Sequence, residues 1–310
     1  MKHTIKHIFL LMAAAVMLAS CKTGRSVYVS TSFHEPADSG LRFIYSKDGY
    51  HWNDLNHIFL KPEAGKAKIM RDPSITRGKD GIFRLVWTTG WKGDQGIGYA
   101  SSPDLIHWSA QQHIDVMSYE PTTVNAWAPE IFYDDEQDRF IIVWASCIPG
   151  RFPKGQEDAD NNHRLYYTIT KDFKTFSPTK LFLDPGFSVI DAEIVKRGKG
   201  DYVLVMKDNT RPNRNILVAF ANNPIGPYHD YTSRFTEKFS EGPSAIKVGN
   251  NWLIYYDSYD LKRYGAISTP DFKTFTNISD SVSVPKGHKH GTLFKITPKE
   301  LNQLLKATPK

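Results

Sequence analysis

Cysteine is scarce in this sequence, and so are long apolar runs. The 310 residues include two cysteines, Cys21 and Cys147, and the run 8–18 is too short to span a bilayer as a helix. Because Cys21 falls in a leader-like stretch, one cysteine remains in the folded part. That excludes an intrachain disulfide and a thiolate metal site. We expect Cys147 to be a small buried apolar residue.

Motifs of several enzyme classes are also absent. The sequence has no HExxH, CxxC, GxSxG or Walker phosphate loop. It has no basic run of five or more residues, although the formal net charge is +6, because both signs are interspersed. This pattern predicts an ordinary solvated surface and no nucleic-acid partner. A hydrophobic fraction of 40% is ample for a folded core.

The N-terminus has the features of an export signal. Lys2 and Lys6 precede the apolar run, and Leu18-Ala19-Ser20-Cys21 resembles a bacterial lipobox. We therefore predict a lipoprotein signal peptide over 1–20, a lipidated Cys21, a tether over 21–26 and a folded domain over 27–310. The protein would then be exported and anchored to a membrane, facing the periplasm or the cell surface. An ordinary signal peptide cleaved nearby is the alternative.

One short phrase recurs along the chain. KDFKTF at 171–176 returns as PDFKTF at 270–275, with looser relatives DGYHW at 48–52, PDLIHW at 103–108 and PIGPY at 224–228. Anchored at 48, 104, 172, 223 and 271, the copies define five units of about 50 residues. We interpret the phrase as a turn repeated in each unit, with its Trp or Phe packed between units.

Each unit also carries the same strand signals in the same order. Extended segments rich in Val, Ile, Tyr, Phe and Trp alternate with Gly and Asp turns, and no long stretch has helical periodicity. Four strands per unit and five units predict an all-β, single-domain, five-bladed β-propeller. The incomplete units at the two ends would share one blade and close the ring.

Carboxylates occur in the first strand of four of the five units, and the first strand of each unit lines the channel of a propeller. They are Asp72, Glu130, Asp191, Glu193 and Glu241. Residues two apart in a strand face the same way, so Asp191 and Glu193 could line one surface. Converging carboxylates suit glycoside hydrolysis, in which one is protonated and another ionised. Crowding of like charges raises the pKa of one of them.

Other residues could contact a sugar. Trp91 and Trp127 could stack on sugar faces, whereas we expect Trp87 to lie in the core. Charged and aromatic residues that could reach sugar hydroxyls are Arg211, Arg214, Arg263 and Tyr264. The long segment 148–163 is a candidate loop at the pocket rim.

Taken in order, the acidic segments resemble glycoside hydrolase family 43, the inverting five-bladed enzymes. The similar segments are RDPSI, WAPEIFYDDEQDRFIIVWAS, IDAEIVKRGKGDYVLVMKD, EGPSAIKVGNNWLIYYDSY and HKHGTLFKI. The resemblance implies that Asp72 is the general base and Glu241 the general acid, with Asp191 orienting Glu241 and raising its pKa. It implies a His near the axis that supports an ion or water, with His290 fitting better than His288. No cofactor would be required, although calcium could bind near the axis.

The resemblance implies an exo-acting hydrolase that inverts the anomeric configuration. We expect removal of terminal α-L-arabinofuranosyl or β-D-xylosyl residues from plant-type oligo- or polysaccharides by a monomeric protein, with Glu130 a further contact to substrate. A β-galactosidase of the same fold and a non-catalytic carbohydrate-binding lipoprotein are the alternatives. A retaining fructan-cleaving enzyme fits less well, because its Asn-Asp-Pro-Asn and Glu-Cys segments are absent.

Overall fold

The chain folds into five small antiparallel sheets. A computed structural model describes residues 26–308, so the expected signal peptide, Cys21 and nearly all of the tether lie outside the described residues. The strands are β1 Val27–Ser32, β2 Arg42–Ser46, β3 Trp52–Asp54, β4 Arg71–Arg77, β5 Phe83–Thr88, β6 Ile97–Ser102, β7 Gln112–Ile114, β8 Trp127–Asp134, β9 Arg139–Cys147, β10 His163–Thr170, β11 Lys180–Leu183, β12 Val189–Gly198, β13 Asp201–Asp208, β14 Asn215–Ala221, β15 Ser240–Val248, β16 Asn251–Ser258, β17 Arg263–Thr269, β18 Thr276–Asn277 and β19 Leu293–Ile296.

The sheets form the five blades of a propeller, as predicted. Blade 1 is β4–β7, blade 2 is β8–β11, blade 3 is β12–β14 and blade 4 is β15–β18. Blade 5 has the order β19-β1-β2-β3, so the two ends of the described chain share one sheet. Val27 pairs with Ile296 and Ser30 with Leu293. This pairing closes the ring and removes two strand edges.

The repeated phrase forms the same turn in four blades. The aspartate of each copy accepts hydrogen bonds of 2.7–2.9 Å from the backbone N–H groups two and three residues later; these are Asp48, Asp104, Asp172 and Asp271. Such local bonds are typical of Asx turns. The aromatic of the phrase packs between blades: the Trp52 ring lies 5.5 Å from that of Tyr255 in blade 4. The structural interpretation of the phrase is thus confirmed.

Blade 3 departs from the prediction of four strands, because it has three. Its outer segment contains Pro224 and Pro227, which lack the N–H that a ladder requires. The segment still follows β14 through isolated hydrogen bonds. Phe220 and His229 exchange two bonds of 2.9 Å, and Thr232 N–H donates to the Val218 carbonyl at 3.0 Å.

One helix, α1 (Pro298–Ala307), follows β19 and was not predicted. Thr297 caps it: its hydroxyl accepts from the Glu300 N–H, while the Glu300 carboxylate accepts from the Thr297 N–H. Pro298 at the first helical position favours the same start. Leu301 and Leu304 bury against the core between blades 5 and 1. Within residues 26–308, no helix is long and apolar enough to cross a membrane.

The core is divided among the interfaces between blades. One apolar cluster, for example, joins Val205 of blade 3 to Ile254 of blade 4. Trp87 is fully buried in another cluster, as expected, and packs against Gly98, where an added Cβ would lie 2.0 Å from its ring. Cys147 is free and buried, and burial raises the pKa of its thiol to about 11, which suits its expected apolar role.

Candidate active site

The first strand of blades 1 to 4 contains the same irregularity, and it positions the acids. Pairing with the second strand shifts register between Arg71 and Ser74, and at the corresponding place in the other three blades. The residue inside each bulge has a left-handed backbone, with φ between 45° and 57°; these residues are Asp72, Ala128, Asp191 and Gly242. Bulges redirect side chains beside functional sites. The bulge between Ile190 and Glu193 interrupts the alternation of side chains along β12. The rule that residues two apart face the same way therefore does not hold for Asp191 and Glu193.

The bulges surround a cavity of about 390 Å³ at the centre of the ring. Three carboxylates of the inner strands line it, from blades 1, 3 and 4: Asp72, Asp191 and Glu241. Lys207 and His290 line the same cavity. The structure therefore brings together the three acids and the histidine to which the sequence assigned chemical roles.

Asp72 is held as a carboxylate. Its Oδ2 accepts a hydrogen bond from the Thr88 hydroxyl at 2.8 Å, and its Oδ1 lies 2.9 Å from His290 Nε2. Burial alone would raise the pKa of Asp72, but the bond and charge of His290 and the charge of Arg71 lower it to about 2. An ionised carboxylate is the form that a general base needs.

Asp191 is tied to the strand that carries Glu241. Its Oδ2 accepts from the Gly242 N–H at 2.9 Å, one residue after Glu241. Burial raises the pKa of Asp191, and the nearby charges of Glu241 and Asp72 raise it further, although Lys207 opposes them. Asp191 is thus placed to fix the backbone beside Glu241 and to hold a proton.

Glu241 has a partner that sequence reasoning missed. The Nζ of Lys207, from β13, lies 2.9 Å from Glu241 Oε2, and the Lys207 side chain is only 3% exposed. Burial tends to raise the pKa of Glu241, but the charges of Lys207 and His290 lower it. In the free protein Glu241 is therefore an anion paired with Lys207. The motif DYVLVMKD contains Lys207, and its place on a second strand beside the channel was the signal that could have identified it.

Three groups near the axis could offer ligands to a metal ion. One atom each from Glu241, Asp257 and His290 lies within 4.8 Å of the others. However, His290 lies between Asp72 and Asp257, which raise the pKa of its ring well above the usual value despite burial. A cation would have to displace that proton and compete with Lys207 for Glu241. The residues therefore fit an ion-pair network better than they fit calcium.

Aromatic and polar residues complete the wall of the cavity. Trp91 is 54% exposed, and its ring lies 4.7 Å from that of Trp127, whose Nε1 donates to the Trp91 carbonyl at 2.7 Å. Segment 148–163 contributes Asp158, Asp160 and Asn161, while Arg211 and Arg214 come from the segment after β13. The exposed indole face could stack on a sugar.

Glu130 and Glu193 lie in a smaller adjoining cavity of about 30 Å³. Glu130 accepts from the Ser74 hydroxyl at 2.6 Å, and Glu193 accepts from the Ala245 N–H at 2.6 Å. Burial raises the pKa of Glu130 to about 8 and raises that of Glu193 well above its usual value, with Glu130 adding to the latter. These acids join neighbouring blades, and Glu130 does not line the main cavity.

Arg263 and Tyr264 are not in the main cavity either. Both line a separate cavity beside blade 4, together with His288. The expectation that these two residues reach the sugar in the main cavity, together with Arg211 and Arg214, is therefore wrong for Arg263 and Tyr264. The chain position alone does not say on which side of the β16–β17 hairpin they emerge.

Comparisons with known proteins agree with this geometry. The family described as "Probable glycosyl hydrolase domain", related to glycosyl hydrolase family 43, matches residues 25–302. An α-L-arabinofuranosidase of Bifidobacterium longum subsp. longum is 26% identical over 222 residues. The match covers 59% of this chain but only 21% of that relative, so the chain spans about a fifth of its length.

Solved structures share the fold at low sequence identity. The α-L-arabinanase of Cellvibrio cellulosa superposes with a TM-score of 0.57 at 16% identity, over 83% of this chain and 93% of that one. A GH43 β-1,3-galactosidase gives a TM-score of 0.58 at 14% identity, over 81% and 90%. The match of the family model over nearly the whole described chain shows that this protein belongs to the glycosyl hydrolase 43-related family, and the five-bladed fold with acids in its central cavity agrees with that membership.

Proposed function

We propose that this protein is a glycoside hydrolase that inverts the anomeric configuration and releases single terminal pentoses, α-L-arabinofuranosyl or β-D-xylosyl. The observation that carries the proposal is the convergence of Asp72, Asp191 and Glu241 on one cavity of about 390 Å³. A cavity of that volume suits one or two sugar rings. The relative named an α-L-arabinofuranosidase favours arabinose among the pentoses.

A single displacement needs one acid that accepts a proton and another that donates one, and Asp72 and Glu241 have these two roles. Asp72 accepts a proton from a water molecule as that water attacks the anomeric carbon. Glu241, when protonated, donates its proton to the departing oxygen, and the bond between that oxygen and the anomeric carbon breaks. Asp191 holds the strand at Gly242 and so orients Glu241. Trp91 provides an exposed ring surface for the sugar.

A β-galactosidase is the second candidate. A GH43 β-1,3-galactosidase is among the structures with the same fold. This likeness supports the shared fold and does not by itself favour galactose over a pentose. The same assay separates the two candidates, because the sugars differ in shape. Arabinofuranose has a five-membered ring, and β-D-xylopyranose lacks the hydroxymethyl group and the axial 4-hydroxyl of β-D-galactopyranose, so a pocket shaped for one of them discriminates against the others by contact.

The test is hydrolysis of the nitrophenyl glycosides of α-L-arabinofuranose, β-D-xylose and β-D-galactose. We expect one pentoside to be cleaved, with activity at least about 100-fold lower in Glu241→Gln and unchanged in Glu63→Gln, an exposed glutamate away from the cavity. The anomer first formed, followed by proton NMR, should have the inverted configuration. Full activity in Glu241→Gln, or a retained configuration, would refute the proposal.

A further inference from the structure

A second cavity, of about 690 Å³, lies beside the main one. It is formed by the start of β17, the segment between β18 and β19, and the loop after β1. Three contacts join residues of the main cavity to residues of the second: Arg71 to Glu35 at 2.6 Å, His290 Nδ1 to Asp257 Oδ2 at 3.9 Å, and Lys207 Nζ to the Tyr259 ring centroid at 5.2 Å. The two cavities therefore share a wall.

Positive charge predominates in this second cavity. Four basic side chains line it against two acids; the basic residues are Lys262, Arg263, Lys286 and Lys289. Both acids are already paired: Glu35 with Arg71, and Asp257 with Lys289 at 2.9 Å. No acid that lines this cavity is therefore left to balance the positive charge of Lys262, Arg263 and Lys286.

Two of those lysines have no ionic partner. Across residues 26–308, neither Lys262 nor Lys286 has a carboxylate within 4.0 Å, whereas Arg263 contacts only Asp280, at 3.5 Å. The Asp280 side chain is 96% exposed, so water screens that pair. A concave surface with an excess of one charge attracts ligands of the opposite charge.

Neutral donors point to a ligand as well. The hydroxyls of Tyr259 and Tyr264 are buried but have no hydrogen-bond partner in the described part of the chain. Buried polar atoms normally have partners, so these two hydroxyls have hydrogen-bonding capacity that the described protein groups leave unused. Tyrosine hydroxyls and lysine ammonium groups together match the oxygens of a carboxylate or a sulfate.

We propose that the second cavity is a subsite for an anionic sugar unit, a uronate or a sulfated sugar, within the substrate that the main cavity cleaves. The inference rests on the proposed hydrolase function and narrows the substrate to acidic oligosaccharides. The terminal sugar occupies the main cavity, while the acidic unit extends across the shared wall toward Lys262 and Lys286.

Calorimetric titration tests the subsite, with Glu241→Gln as the parent so that turnover does not interfere. The probes are trigalacturonic acid, a sulfated galactose trisaccharide and arabinotriose. We expect an acidic probe to bind more tightly than arabinotriose. Adding Lys262→Gln and Lys286→Gln should weaken that acidic probe about tenfold, from two ion pairs of modest strength, and leave arabinotriose unchanged. The two acidic probes distinguish carboxylate from sulfate.

A matched pair of changes controls for net charge. Lys199→Gln with Lys238→Gln also removes two exposed lysines, but away from this cavity, and should leave every affinity as in the parent. Equal binding of acidic and neutral probes, or equal losses in the two double variants, would overturn the subsite. Failure of the hydrolase proposal is seen separately, since it appears as missing hydrolysis of uncharged nitrophenyl glycosides by the unmodified protein.

Discussion

In the proposed mechanism, the pairing of Glu241 with Lys207 determines the pH at which the site can act. A general acid must carry a proton, yet an ammonium at 2.9 Å stabilises the anion of Glu241. The charged groups that act on Glu241 are Arg71, Asp191, Lys207, Asp257 and His290. Three of these, Arg71, Lys207 and His290, are cations that favour ionised Glu241. Only molecules that bind an additional proton are competent, so activity should be greatest in acid.

The first prediction follows from the sign of that effect. In the proposed mechanism activity depends on protonated Glu241, so kcat/KM falls as pH rises through the Glu241 pKa, and Lys207 lowers that pKa. In Lys207→Met the pKa rises, and the alkaline limb of the pH profile should move up by about one pH unit or more. The measurement is kcat/KM against pH with the cleaved nitrophenyl pentoside.

Lys196→Met is the control for this change. Lys196 pairs with Glu136 at 3.0 Å, outside the main cavity, so its removal should leave both limbs in place. An alkaline limb that stays in place in Lys207→Met would show that Glu241 does not set it. A shift of the alkaline limb to lower pH in Lys207→Met would mean that Lys207 raises the pKa of Glu241 and does not lower it.

At the scale of the element, the inner strands contain two acids, Glu130 and Glu193, that do not line the main cavity. Glu130 of β8 bonds to Ser74 of β4, and Glu193 of β12 bonds to Ser244 of β15 at 3.1 Å. Each carboxyl therefore links its own blade to a neighbour. Their raised pKa values mean that the folded protein retains protons that the unfolded chain would release above pH ~4.3.

These protons make stability depend on pH, which is the second prediction. The folded state binds more protons than the unfolded state between pH ~4.3 and the Glu130 pKa of about 8, so stability falls as pH rises through this window. One group contributes at most about 1.4 kcal/mol per pH unit. Glu130→Gln removes this titration and should reduce the loss of melting temperature between pH 5 and pH 8.

Glu63→Gln serves as the control for the stability measurement, because that side chain is exposed. It should melt with the same pH dependence as the unmodified protein. If Glu130→Gln also reproduces the unmodified pH dependence, Glu130 is not the group that titrates in this window.

At the scale of the whole molecule, stability depends on joining the two ends of the ring. β19 completes the blade that begins with β1, and α1 then packs Leu301 and Leu304 against residues of blades 5 and 1. The helix therefore covers the junction at which the ring closes. Loss of packing there weakens contacts between the first and last segments of the chain.

The third prediction compares adjacent leucines of that helix. Leu304 is fully buried, so Leu304→Ala should lower the free energy of unfolding by about 2–4 kcal/mol through lost burial and the cavity left behind. Leu305 is 41% exposed, and Leu305→Ala should cost about 0.5 kcal/mol or less. Urea denaturation measures both. Equal effects would mean that α1 does not stabilise the closed ring.

The sequence predicts most of this architecture, because its repeated features are local. The corner turn depends on one aspartate and the three residues after it, as at Asp104, so a segment of five or six residues is enough to predict it. The bulge at Asp191 cannot be predicted from such a segment, because it depends on pairing with another strand. Lys207 was missed for a similar reason: its contact with Glu241 joins two blades across 34 residues. The helix was missed although the capping box at Thr297 indicated its start.

The four bulges also have a consequence for redesign. Positions 72, 128, 191 and 242 share one backbone conformation around the cavity, but the members are not interchangeable. An added Cβ at Gly242 would lie 1.9 Å from the His290 ring, so this position must stay glycine. Ala128 has a methyl group and a φ of 45°, where aspartate is better tolerated than alanine. Ala128→Asp should therefore melt no lower than the unmodified protein, and a markedly lower melting temperature would disprove this. A melting temperature no lower than that of the unmodified protein would mean that blade 2 accepts a new functional side chain on the same backbone.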